Sequence, residues 1–97
     1  MIKRIFKVTI DPSLRTEFES DFREISVQVV ESSDGLISLE IGEPTKWNPE
    51  EYLMISNWAD EKSLVGFAGA KWNEAAIPDV MKKYAVSYSV DHFYLKG

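Results

Sequence analysis

Two kinds of side chain in this sequence are equipped for chemistry: a single histidine, His92, and a set of aromatics gathered past the middle of the chain. An imidazole with an unperturbed pKa of about 6.5 suits general-base work near neutral pH. His92 lies in VSYSVDHFYL, residues 86–95, where alternation places it on one face with Tyr88, Val90 and Tyr94 and opposite Ser89, Asp91 and Phe93. The aromatics belong to the segment from Tyr52 to Ile77, which reads as a strand running into a helix with Trp58, Phe67 and Trp72 around the junction. If the His92 face of the last strand looks toward the helices, His92, Tyr88, Ser56 and Trp58 converge on one pocket. The candidate site is then His92 as base, with Met54, Ser56, Trp58, Phe67, Trp72 and Tyr88 as substrate contacts. Each also has a plainer reading. A lone histidine near a strand end often sits at a surface or interface, Trp58 and Trp72 suit the core of a small protein, and Met54 fills soft apolar space.

The elements that must position these residues number six. Ile2 to Ile10 alternates Ile2, Arg4, Phe6, Val8 and Ile10 against Lys3, Ile5, Lys7 and Thr9, which predicts a half-buried strand with its basic residues outward. Arg4 and Lys7 are assigned no chemistry on that reading. Asp11-Pro12 starts a helix, with Asp as cap and Pro at the first helical position. Leu14, Phe18, Phe22, Ile25 and Val29 form its apolar stripe, and Gly35 suits the turn that follows. Leu36 to Gly42 predicts a second strand with Ile37, Leu39 and Ile41 on one side, and Glu51 to Trp58 a third that is apolar on both faces. Asp60 caps a second helix with Leu64, Phe67, Ala68, Trp72, Ala75 and Ala76 inward and a break near Gly69 or Ile77. The last strand runs from Val86 to Leu95.

Strand, helix, strand, strand, helix, strand is the ferredoxin-like, split βαβ order. It predicts an α+β fold, a four-stranded antiparallel sheet with two helices on one face. In so short a chain the other face of the third strand then needs a partner, and a homodimer through the bare sheet face is expected. Ninety-seven residues make one domain, residues 1–97, near the size at which oligomerisation often adds stability.

Composition narrows the partners. A net charge of −5, with Lys3-Arg4 and Lys82-Lys83 as isolated pairs, argues against nucleic acid. No apolar run approaches the roughly 18 residues of a membrane span, and MIKRIFKV reads as a strand and not a signal peptide. The absence of cysteine removes thiolate chemistry and cysteine-held zinc, and the acidic face of the first helix lacks metal-site spacing. No metal is expected, and the cytoplasm is the expected location.

The series GLISLEIG, YLMISNW, an acidic helix start, FAG, KWNEA and a final VDHFY resembles the antibiotic biosynthesis monooxygenase family, in order and over nearly the whole chain. The resemblance implies a dimeric α+β barrel in which two sheets pack by their bare faces. It also implies, for some relatives, oxygenation of polycyclic phenols without a cofactor and, for others, haem degradation. Trp58 matches the tryptophan that lines the pocket of anthrone-oxidising relatives. Met54 stands where those have asparagine and Leu64 where they have tyrosine, and no arginine follows Arg23. For the haem-degrading branch, Lys7 or a neighbour, Phe67 and Ile77 stand in place of asparagine, tryptophan and the histidine ligand. Haem degradation is therefore not expected.

Together these readings predict a cofactor-independent monooxygenase-like protein for a small aromatic or quinol-type substrate. The alternative is a protein of the same fold that binds a small apolar ligand without turning it over, or serves as a structural homodimer.

Overall fold

A computed structural model of the chain describes residues 1–75 and 77–96. Four strands, β1 (Ile2–Ile10), β2 (Leu36–Gly42), β3 (Glu51–Trp58) and β4 (Ala85–Tyr94), form one sheet in the order β2-β3-β1-β4, with every neighbouring pair antiparallel. This is the ferredoxin-like arrangement, with the helices packed on one face. The register aligns Ile2 with Trp58, Phe6 with Met54 and Val8 with Tyr52, and sets Arg4 between Ser56 and His92. The even-numbered positions of β1 and β3 therefore share the helix-covered side, where Ile2, Val8, Ile10, Tyr52, Met54 and Trp58 are buried.

Asp11 caps the first helical turn by accepting a hydrogen bond from the Ser13 backbone N–H at 3.0 Å. The first helix then spans residues 15–31, widened to a π-type turn over Phe22–Val27. Phe18 and Phe22 of the expected stripe enter the core, but past the wide turn the buried position moves by one, so Val30 is buried and the expected Val29 is 47% exposed. In the core Phe18 meets Tyr52 and Tyr84 with ring centroids 4.6 and 5.5 Å away. The hydroxyls of these tyrosines turn outward and donate to Glu19 and Asp21, each at 2.6 Å, so the polar tips are satisfied while the rings stay packed.

The chain passes from the first helix to β2 through Gly35, whose φ of 82° falls in the left-handed region. A Cβ there would collide with the side chain of Ser63, so glycine is required on both counts. Asp60 caps the second helix, Glu61–Ala68, by accepting from the Ser63 N–H at 2.8 Å. Among the described residues no helix is long and apolar enough to cross a membrane.

Three local expectations are corrected. The break expected near Gly69 or Ile77 falls at Gly69, whose φ of 87° turns the backbone out of the helix after Ala68, so Trp72, expected on the inner helical face, lies in a non-helical segment. Ala76, expected on the inner helical face, lies outside the described residues. Ile37 is the extra residue of a bulge: Leu36 pairs with Trp58 and Ser38 with Asn57, which leaves Ile37 exposed. Arg4 does not point outward. It is 4% exposed and belongs to the helix-covered face.

Candidate active site

The inward face of β1 carries a guanidinium where the pattern of its neighbours calls for a hydrocarbon. Arg4 Nη1 donates to the carbonyl of Trp72 at 2.7 Å and lies 2.9 Å from His92 Nε2, while Nη2 donates to the carbonyl of Glu74 at 3.1 Å. A guanidinium has no lone pair to offer, so Nε2 of His92 is the acceptor and the imidazole proton resides on Nδ1. The Arg4 guanidinium carbon also sits 5.8 Å from the centre of the Phe67 ring. No carboxylate pairs with Arg4 among the described residues. Burial alone pulls its pKa down to about 10, so Arg4 is still a cation at neutral pH.

Arg4 borders a cavity of about 50 Å³ between the sheet and the helices. Phe6, Val8, Met54 and Ser56 supply the rest of its floor, and the first helix supplies Phe18, Phe22, Ser26, Val29 and Val30. Phe67, Ile77, Pro78, Met81 and Ala85 complete its lining. At roughly 10–15 Å³ of such space per water, the room fits a few waters, about a third of the roughly 150 Å³ that a benzene-binding cavity offers. The wide turn of the first helix contributes two of these side chains, Phe22 and Ser26. A second, open groove at Ser33, Asp34, Asp60 and Ser63 shares only Phe67 with the predicted site.

The predicted site residues separate into three groups. Met54, Ser56 and Phe67 line the cavity. Trp58, Trp72 and His92 stand behind its lining. Trp58 stacks on Phe67 with centroids 5.2 Å apart, and its indole N–H donates to Ser56 Oγ at 3.0 Å. Trp72 meets the His92 ring edge-on at 4.8 Å, and its carbonyl is one of the two that hold Arg4. Tyr88 stands apart at 58% exposure, on the edge strand β4. Arg4 is the functional candidate that sequence reasoning missed. The available signal was its parity, a charge in the middle of the series Ile2, Phe6, Val8, Ile10.

Burial first, and then the Arg4 charge, hold His92 below the usual imidazole range. The unfolded chain therefore takes up this proton at a higher pH than the folded one. Stability is then expected to fall as pH drops below about 6.5, the unfolded value, toward the lower folded value. Urea midpoints between pH 7 and pH 5 measure this. His92→Gln is expected to flatten that slope, and an unchanged slope would contradict the assignment of His92 as a neutral acceptor.

Comparison with known proteins places the arrangement in context. The profile of the antibiotic biosynthesis monooxygenase family matches residues 1–72, and the chain belongs to that family. A comparison with curated protein sequences finds no match. Among solved structures, a conserved protein from Methanosarcina mazei Go1 superposes with a TM-score of 0.77 at 20% identity, covering 98% of this chain and 92% of that one. An antibiotic biosynthesis monooxygenase superposes over the whole of both chains, with a TM-score of 0.72 at 14% identity. The haem-degrader MhuD of Mycobacterium tuberculosis, solved with two haems bound in its active site, gives 0.69 at 20% identity over 98% of this chain and 95% of its own. At these identities the structural likeness establishes the fold.

Proposed function

We propose that this protein is a cofactor-independent monooxygenase acting on a small aromatic or quinol-type substrate. The observation that carries the reading is the apolar cavity with the buried Arg4 cation in its lining and the His92 imidazole behind it, 2.9 Å from Arg4 Nη1. The reaction would remove a proton from a phenol or enol, so that the electron-rich carbon of the anion can reduce oxygen. Carbon–oxygen bond formation and one proton give a hydroperoxide. Loss of water from that hydroperoxide turns a CH₂ group into a carbonyl, so CH₂ and O₂ become C=O and H₂O, with all four electrons drawn from the substrate. The apolar lining favours this by limiting the water around the anion. His92 is the candidate base. Its Nε2 lone pair becomes available when Arg4 turns toward the substrate oxygen.

Haem fits poorly. Ile77, where the haem-degrading relatives have their ligand, offers the cavity an alkyl group, and the only imidazole has its Nε2 engaged by Arg4. A space of about 50 Å³ is also far smaller than a macrocycle.

The test is oxygen uptake with small single-ring quinols, without flavin or metal. Consumption that tracks the protein and yields the carbonyl product supports the reading. Tight binding without uptake would favour the alternative, a protein that only binds.

We also propose a homodimer through the bare sheet face, in the cytoplasm. Ile5, Leu53 and Ile55 lie on that face, Phe93 beside them is 55% exposed, and Asn57 Oδ1 is buried there without a partner among the described residues. Ile55→Glu would bury a charge at the centre of the joint. Light scattering should show a dimer for the wild type and a monomer for Ile55→Glu, and an unchanged mass for the variant would rule out this face.

A further inference from the structure

Arg4 has five N–H donors, and the described residues occupy three of them: two on Nη1 and one on Nη2. The Nε–H and one Nη2–H remain. The side chain they belong to lines an otherwise almost wholly apolar cavity, where Ser56 and Ser26 are the other polar lining residues. The groups facing the guanidinium are the His92 ring on β4, two backbone carbonyls from the segment after the second helix, and the Phe67 ring from that helix. None of them carries a negative charge. Carbonyl oxygens and a neutral nitrogen satisfy hydrogen bonds but leave the charge itself unopposed, and a buried cation without an anion is an incomplete pair.

We propose that the missing half of the pair is the ligand: the cavity binds a compact apolar molecule as an oxyanion, with its charged oxygen on the two remaining donors of Arg4. The ligand class is an acidic phenol or enol in its ionised form, or a small aromatic carboxylate, and both present the same chemistry to a guanidinium. The space of about 50 Å³ is smaller than a ring needs, so a one-ring body is the upper limit and requires the lining side chains to shift outward. The apolar walls, Val8, Met54 and Phe67 among them, give such a body its contacts and exclude the water that would otherwise screen the pair. This deepens the oxygenase reading, because an anion is the species that reacts with oxygen, but it stands separately as a claim about binding.

The test uses 4-nitrophenol, whose phenolate is yellow, together with benzoate and its neutral counterpart benzamide. On the wild-type protein, bound nitrophenol should titrate about 1–3 units below the free compound, the usual effect of an adjacent opposite charge. Benzoate should displace it at least about tenfold better than benzamide. Arg4→Met should abolish both effects, and Arg4→Lys should keep part of the shift. Met54→Phe, which fills the cavity and leaves Arg4 in place, should weaken every ligand.

A bound nitrophenol with unshifted or raised pKa overturns the proposal, as does benzamide matching benzoate or no binding by any of the three. If Arg4→Met does not fold, the wild-type titration and the benzoate–benzamide ratio still decide. Stronger binding of nitrophenolate than of benzoate assigns the natural group as an ionised hydroxyl, and the reverse order assigns a carboxylate. Anion binding without oxygen uptake by any quinol sinks the oxygenase reading and leaves this one. Oxygen uptake by a quinol bound with unshifted pKa does the opposite.

Discussion

Trp58→Ala is expected to destabilise the protein by about 3–5 kcal/mol, the usual range for removing a large aromatic from a core. Trp58 is fully buried at the end of β3, pairs with Ile2 on one side and Leu36 on the other, and stacks on Phe67 across the sheet–helix gap. Its removal takes away the ring that sets the position of Phe67, one wall of the cavity, and the donor to Ser56 Oγ, part of its floor. A domain of this size has about 5–15 kcal/mol in all, so the loss would be a large share of its stability. With a urea slope of about 1–3 kcal/mol/M, the midpoint should fall by more than 1 M. Trp58→Phe should recover most of that packing, while leaving Ser56 Oγ without its indole donor. A loss below about 1 kcal/mol for Trp58→Ala would mean that the stack and the buried indole hydrogen bond contribute little.

The frame that holds these residues was readable because its signals are local. Alternation in β1 and β3, Asp11 and Asp60 as caps, and Gly35 at the close approach to Ser63 each act within a few residues or demand one residue type. Met54, Ser56 and Phe67 reach the cavity for the same reason, since strand parity and the helical repeat both aim them inward. Tyr88 shows where parity stops being enough. It pairs with Val8 across β1–β4 and shares its side of the sheet, yet β4 is the edge strand and Tyr88 stays largely exposed. Arg4 shows the converse. An arginine amid apolar neighbours either snorkels to solvent or is held inside, and the choice depends on acceptors that come from elsewhere. Here they are the carbonyls of Trp72 and Glu74, nearly 70 residues away, and backbone acceptors leave no mark on a sequence. Those carbonyls are within reach because Gly69 ends the second helix early, which frees the segment after it from helical hydrogen bonding.

Arg4→Met should have a far larger effect on activity than on stability. Burial lowers the Arg4 pKa from 12.5 to about 10, which corresponds to about 3 kcal/mol of unfavourable charge burial in the folded state. Methionine removes that penalty and keeps the apolar stem. Against this, the carbonyls of Trp72 and Glu74 and the Nε2 of His92 lose their donor, at about 1–3 kcal/mol for each group that stays dry. The two sides largely offset, and the expected net loss is about 1–3 kcal/mol, so the variant should fold and be assayable. For a substrate that reacts as an anion, removing the charge that faces the anion should lower kcat/KM by about 10²–10³, the range found when one preorganised donor is deleted from an oxyanion site. Arg4→Lys, which restores a positive charge without the fork, should recover part of the rate but not the wild-type value. A variant that is folded by circular dichroism and retains wild-type kcat/KM would show that Arg4 only braces the segment around Trp72 and Glu74. A loss of rate in the folded Arg4→Met variant, partly restored in Arg4→Lys, would place its charge at the reacting oxygen.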